Sequence, residues 1–214
     1  MPRKRYSRQL ELLRRSTLFT YSTVESLVGK NYAKVFVHNL KKKEGLVEVF
    51  KGVYSFKKSP YLAVKALPRA YVGLGAAAFL HGAWNQVTAV VILSPCVSLT
   101  VRGGVREIAG YKVILRKISE KMYFGHTYLH IEELGEEVRV SDPEKTAIDL
   151  VYFKHPARSE ILPKLLEKSS RETINEYLHL LEERGVKGWR RVSSELLGLI
   201  EKGPVTRTAG ERNR

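Results

Sequence analysis

Two histidines four residues apart, His126 and His130, have a spacing that chemistry can use, since on a helix they would offer two imidazoles to one metal. The stretch around them reads as strand and loop, and no third ligand stands nearby, so no metal site is expected. Asp142, Glu144 and Asp149 resemble the carboxylate cluster of a nuclease. A helix start at Ser141-Asp142-Pro143-Glu144 and an outward-facing i, i+4 pair between Lys145 and Asp149 account for them better. Gly73-Leu74-Gly75 lacks the preceding strand and the third glycine of a dinucleotide site, and no phosphate loop, G-x-S-x-G elbow or kinase signature is present. The chain is therefore expected to be no enzyme and to need no cofactor. What remains is a cationic group: Lys34, His38, Asn39, Lys41, Lys42 and Lys43, with Tyr32 before them and Lys51 after. His38 and Asn39 can bond base edges, whereas the lysines only neutralise phosphates, and the combination suits double-stranded DNA.

The elements that must position these residues lie between Ser22 and Phe56. A first helix starts at Ser22-Thr23-Val24-Glu25, where a hydroxyl caps a backbone N–H and Glu25 reaches back, and it stops at Gly29. A second apolar period begins four residues later, with Ala33, Val37 and Leu40 on one face and the cations on the other. From Leu46 to Phe56 the chain alternates around Lys51-Gly52, with Val47, Val49, Val53 and Tyr54 as strand formers, which predicts a hairpin with a cation at its tip. Ahead of these, Tyr6, Leu10 and Leu13 form the stripe of another helix ringed by arginines. Three helices and a hairpin make a winged helix-turn-helix unit, expected over residues 1–58.

Charge supports the assignment. Residues 1–60 hold 14 Lys and Arg against 4 Asp and Glu, a net of +10 out of +15 for all 214 residues. A local excess of that size points to a polyanionic partner meeting this end of the chain. The longest apolar run, around Tyr71 to Leu80, is too short for a bilayer, and MPRKRYSRQLELL carries no apolar stretch after its charges, so a soluble, cytoplasmic protein without membrane contact is expected. The single cysteine, Cys96, excludes an internal disulfide and is expected to be buried beside Val97.

Lys57-Lys58-Ser59-Pro60 has no apolar side chain outside the proline and marks a boundary, after which residues 60–203 should form a mixed α/β domain with C-terminal helices, followed by a disordered tail over 204–214. The fold class expected for the whole is α+β. Short helices are expected at Tyr61 to Leu67 and Gly75 to Leu80, the second capped by Gly82, then a doubly buried strand over Val87 to Leu93. A turn at Gly103-Gly104, a half-exposed strand over Tyr111 to Ile118 and a hairpin around Leu134-Gly135-Glu136 follow. The helix from Ser141 to Phe153 buries Ala147, Leu150 and Val151, and residues 157–201 carry two or three amphipathic helices that are candidates for a homodimer contact.

Taken together, the hairpin end Lys51-Gly52-Val53-Tyr54-Ser55-Phe56, the helix Ala76-Ala77-Ala78-Phe79-Leu80-His81-Gly82, the strand Val87 to Leu93 and the helix start Ser141-Asp142-Pro143-Glu144-Lys145-Thr146-Ala147-Ile148-Asp149-Leu150 resemble the AbiEi-type antitoxins of type IV toxin–antitoxin pairs and their stand-alone regulator relatives. The match spans roughly residues 20–153 and lies in the order and spacing of the four stretches. The resemblance implies an N-terminal DNA-binding domain that represses its own operon, and a second domain that counters a nucleotidyltransferase-like toxin without a stable complex. Where relatives carry an arginine-rich recognition helix, this chain has Lys and His. A regulator without a toxin, or a nucleic-acid-processing enzyme with its site in residues 61–155, are the alternatives.

Overall fold

The computed structural model describes residues 6–86 and 89–202, and the expected tail over 204–214 lies outside them. The chain is mixed α+β. Its first elements run in the order α1 (Ser7–Arg15), β1 (Phe19–Thr20), α2 (Tyr21–Val28), α3 (Lys30–Lys43), β2 (Val47–Phe50) and β3 (Val53–Ser55). The strands make a small antiparallel sheet in the order β1-β3-β2, so the chain's first extended residues lie against the second arm of the hairpin. Leu10 and Leu13 of α1, Val24 and Val28 of α2, and Ala33, Phe36, Val37 and Leu40 of α3 close over Phe19 and Tyr54 to form one core.

Beyond it come α4 (Leu62–Ala66), β4 (Tyr71–Gly73), α5 (Leu74–Leu80), β5 (Val90–Ser94), β6 (Gly104–Ile108), β7 (Tyr111–Lys117), β8 (His126–Ile131), β9 (Glu136–Ser141) and α6 (Pro143–Tyr152). The chain closes with α7 (Arg158–Leu166), α8 (Arg171–Glu183) and α9 (Trp189–Lys202). The strands form a six-stranded mixed sheet in the order β6-β7-β5-β4-β9-β8, with β5–β7 and β4–β9 parallel. Helices α6 to α9 bury one face of it around Tyr71, Leu93, Ile148 and Leu165. On the other face Val72, Ile92, Val113 and Val140 pack with Tyr61 and Leu62 at the start of α4. Among the described residues no helix is long and apolar enough to cross a membrane.

Several expectations shift by a residue or more. The doubly buried strand begins at Val90, with Val87 and Thr88 outside the described residues. Gly103-Gly104 is the entry to β6 rather than a turn; the reversal is made by Ala109 and Gly110, both at positive φ. Gly73-Leu74-Gly75 does follow a strand, since β4 runs straight into α5, although the third glycine is absent. Cys96 is half-exposed in the turn after β5.

Residues 57–60 form a packed joint. Ser59 and Pro60 are buried, and Val49 and Phe50 of β2 share a core with Tyr61, Leu62 and Val64. Glu136 at the start of β9 takes hydrogen bonds from Thr17 and Lys65, while Lys57 donates to the Leu134 carbonyl. The hydroxyl of Ser55 donates to the Thr17 carbonyl at 2.7 Å. A run of two lysines, a serine and a proline looks like a linker because its apolar cover comes from elsewhere in the chain.

Candidate nucleic-acid interface

Helix α2 starts at Tyr21, one residue before the expected Ser22. Its cap is Thr20, whose Oγ1 accepts from the Thr23 N–H at 3.2 Å, while the Thr20 N–H donates back to Thr23 Oγ1 at 3.4 Å. Thr23 thus takes the place proposed for Glu25, because β1 runs directly into the helix and leaves Thr20 as its last extended residue. The turn to α3 is a single residue, Gly29, at φ +88, a left-handed value that favours glycine. Helix α3 accordingly begins at Lys30, with Lys30, Asn31 and Tyr32 as its first turn rather than part of a four-residue loop.

The buried stripe of α3 is Ala33, Phe36, Val37 and Leu40. At 100° per residue Asn31, Val35, His38 and Lys42 lie most nearly opposite, with Lys34 and Lys41 toward one flank, and all six are exposed. The sequence-expected residues divide accordingly. Lys34, His38 and Lys42 share this free face, and Lys51 stands exposed at the hairpin tip, where Gly52 at φ +75 makes the turn. Asn39 is half-buried on the flank of the stripe, with exposed Lys43 further round on the same side. Tyr32 is a packing residue: its ring stacks on Tyr6 with centroids 5.1 Å apart and planes at 18°, and it leans on Phe36.

Lys41 is also occupied. Its ammonium pairs with Glu48 of β2 and sits 5.2 Å from the centroid of the Tyr54 ring. The other oxygen of Glu48 accepts from the Gly52 N–H at 3.0 Å, so one carboxylate ties α3 to the hairpin turn. Partial burial disfavours ionisation of Glu48, but the hydrogen bonds from Lys41 and Gly52 outweigh it and hold its pKa below the ordinary value. Burial, with Glu48 nearby, pushes the Tyr54 phenol up. By contrast Lys34, Lys42, Lys43 and Lys51 have no ion-pair partner among the described residues. Reasoning from sequence missed Asn31 and Val35, although the spacing 31, 35, 38, 42 is a helical stripe once the start of α3 is known.

The carboxylates of the second part of the chain are engaged elsewhere. Asp142, rather than Ser141, caps α6, accepting from the Lys145 N–H at 2.7 Å and from the Tyr177 hydroxyl at 2.7 Å. Glu144 accepts from the Ser170 N–H at 2.7 Å, at the start of α8. Lys145 and Asp149 overturn the expectation of an outward pair: both side chains are fully buried. They pair with each other beneath Tyr71, whose hydroxyl donates to Asp149 at 3.0 Å. Burial lowers the pKa of Lys145 and raises that of Asp149, and their pairing opposes both shifts. Gly125 lets β8 approach this pair, since a Cβ there would stand 2.8 Å from Lys145 Cβ. His126 and His130 lie on β8, where four residues separate side chains by ~13 Å. His126 stacks on Tyr71 with planes at 7°, and burial, with Arg139 adding to it, lowers its pKa. Among the described residues no three His, Cys, Asp or Glu side chains come together as metal ligands.

Compared with known proteins, the chain matches no family model and no curated protein.

Proposed function

We propose that the chain is a DNA-binding transcriptional regulator whose first unit is a winged helix-turn-helix, with α3 as the recognition helix and the β2–β3 hairpin as the wing. The observation that carries this reading is the free face of α3, where Lys34, His38 and Lys42 stand clear of the core, together with Lys51 exposed at the tip of the hairpin that Glu48 ties to α3. The order α1-β1-α2-α3-β2-β3 with the sheet order β1-β3-β2 supports it, because this arrangement sets one helix forward with a hairpin at its flank. Double-stranded DNA is the partner, met by lysines on phosphates and by His38 with its neighbours on base edges.

The resemblance to AbiEi-type antitoxins supports a fuller role, in which the protein represses its own operon and its second part counters a nucleotidyltransferase-like toxin. In the absence of such a toxin gene the same geometry serves a stand-alone regulator. Fluorescence anisotropy with a duplex library tests the core of the reading: the Lys34→Ala, Lys42→Ala, Lys51→Ala triple variant should lose binding, while exposed Lys112→Ala and Lys117→Ala on β7 should not matter. Equal loss in both variants, or Mg²⁺-dependent cleavage of the duplex, would overturn it.

A further inference from the structure

Val35 lies on the free face of α3, toward its Asn39 side, and leaves 50% of its surface exposed. It belongs to none of the hydrophobic cores, and its neighbours one turn away on either side, Asn31 and His38, are polar and exposed. A β-branched side chain in the middle of a helix lowers helix propensity, and here packing in a core of the protein does not compensate for it. In the major groove the apolar group presented by a base edge is the C5-methyl of thymine, and small apolar side chains are its usual contact.

We infer that Val35 is a specificity-determining residue that packs on a thymine methyl, and that α3 therefore selects a half-site containing a thymine. This rests on the DNA-reading role proposed above. Asn31 and Val35 stand one helical turn apart on the same face, so the Asn31 amide meets the base pair next to that thymine, where its bidentate partner is adenine. The lysines around them hold the register without contributing to the choice.

The test uses the full chain and the duplex it prefers in a selection from randomised DNA. Each thymine of that duplex is replaced in turn by deoxyuridine, which removes only the methyl group, and affinity is measured for the native protein and for Val35→Ala. At one thymine in each half-site the replacement should weaken native binding about three- to fivefold, the worth of one methyl group withdrawn from water. Val35→Ala should weaken binding to the intact duplex by a similar factor, and the two changes together should cost no more than either alone. Alanine is the better helix former at an exposed site, so loss of fold does not confuse the result, and the melting temperature checks this. Deoxyuridine effects that are the same in both proteins at every position would overturn the role of Val35 while leaving DNA binding intact. Failure of the selection to enrich any sequence would instead remove the DNA-reading role, and this inference with it.

Discussion

Lys41 and Lys42 are adjacent, equally basic and both exposed, yet the structure gives them different work, and this makes the pair a sharp test of which cations meet DNA. Among the described residues Lys42 has no ion-pair partner, whereas Lys41 is held by Glu48 and lies against the Tyr54 ring. If Lys34, Lys42 and Lys51 each meet one phosphate, as proposed, the slope of log K against log salt should be about −2.7, since each contact contributes about 0.9. Raising salt from about 50 to about 200 mM should then weaken binding about 40-fold in the native protein. Lys42→Ala should reduce the slope to about −1.8, and the same salt step should then cost only about 12-fold. Lys41→Ala should leave the slope at about −2.7. Its effect belongs to stability, because Glu48 loses the cation that holds it ionised and α3 loses a brace to the hairpin; for a half-exposed pair this is worth no more than about 1 kcal/mol. Anisotropy titrations at four or five salt concentrations, with melting curves on the same samples, measure both quantities. A slope change in Lys41→Ala equal to that in Lys42→Ala would show that the Glu48 pair opens on binding and that the free-cation argument is wrong.

His38→Ala should cost about 1 to 3 kcal/mol on a preferred duplex and little on random DNA; Asn39→Ala, half-buried at the flank, should cost less, and an anisotropy comparison in which Asn39 proves the stronger discriminator would move the reading edge round the helix. Lys145→Met should destabilise by about 3 to 5 kcal/mol, or on the order of 10 °C in melting temperature, because Asp149 is left buried with only Tyr71 to bond it. Since burial raises the folded-state pKa of Asp149, the stability deficit of that variant should shrink as pH falls and the carboxyl takes up a proton; a deficit that is constant in urea unfolding across pH would mean that water reaches the pair. The hydrogen bond from Lys65, with that from Thr17, lowers the pKa of Glu136, so its contribution is complete above the ordinary value of 4.5 and is lost as pH falls through the lowered value. Glu136→Gln should therefore melt below the native protein at neutral pH and together with it in acid, and parallel melting curves at all pH values would deny the joint its charge.

How far such a site can be read from sequence depends on whether the information is local. The hairpin tip at Lys51-Gly52 and the apolar stripe of α3 were legible, because alternation and a 3.6-residue period are properties of neighbouring residues. The free or occupied state of a lysine was not, since Glu48 reaches Lys41 only after the hairpin folds back on the helix. Lys145 and Asp149 show the same limit within a single helix. An i, i+4 spacing fixes that two side chains share a face and says nothing about which way the face looks. Here α6 is covered all round: every residue from Glu144 to Val151 is buried. With no solvent side available, the two charges could only face inward and pair, and because that cover comes from other elements, PEKTAIDLVY itself carried no signal of it. The same logic runs in reverse on α3, where a lone Val35 among polar neighbours is conspicuous only once the core-facing side has been assigned to Ala33, Phe36, Val37 and Leu40. A residue's partner, or its lack of one, becomes a functional argument when the fold has accounted for the residues around it.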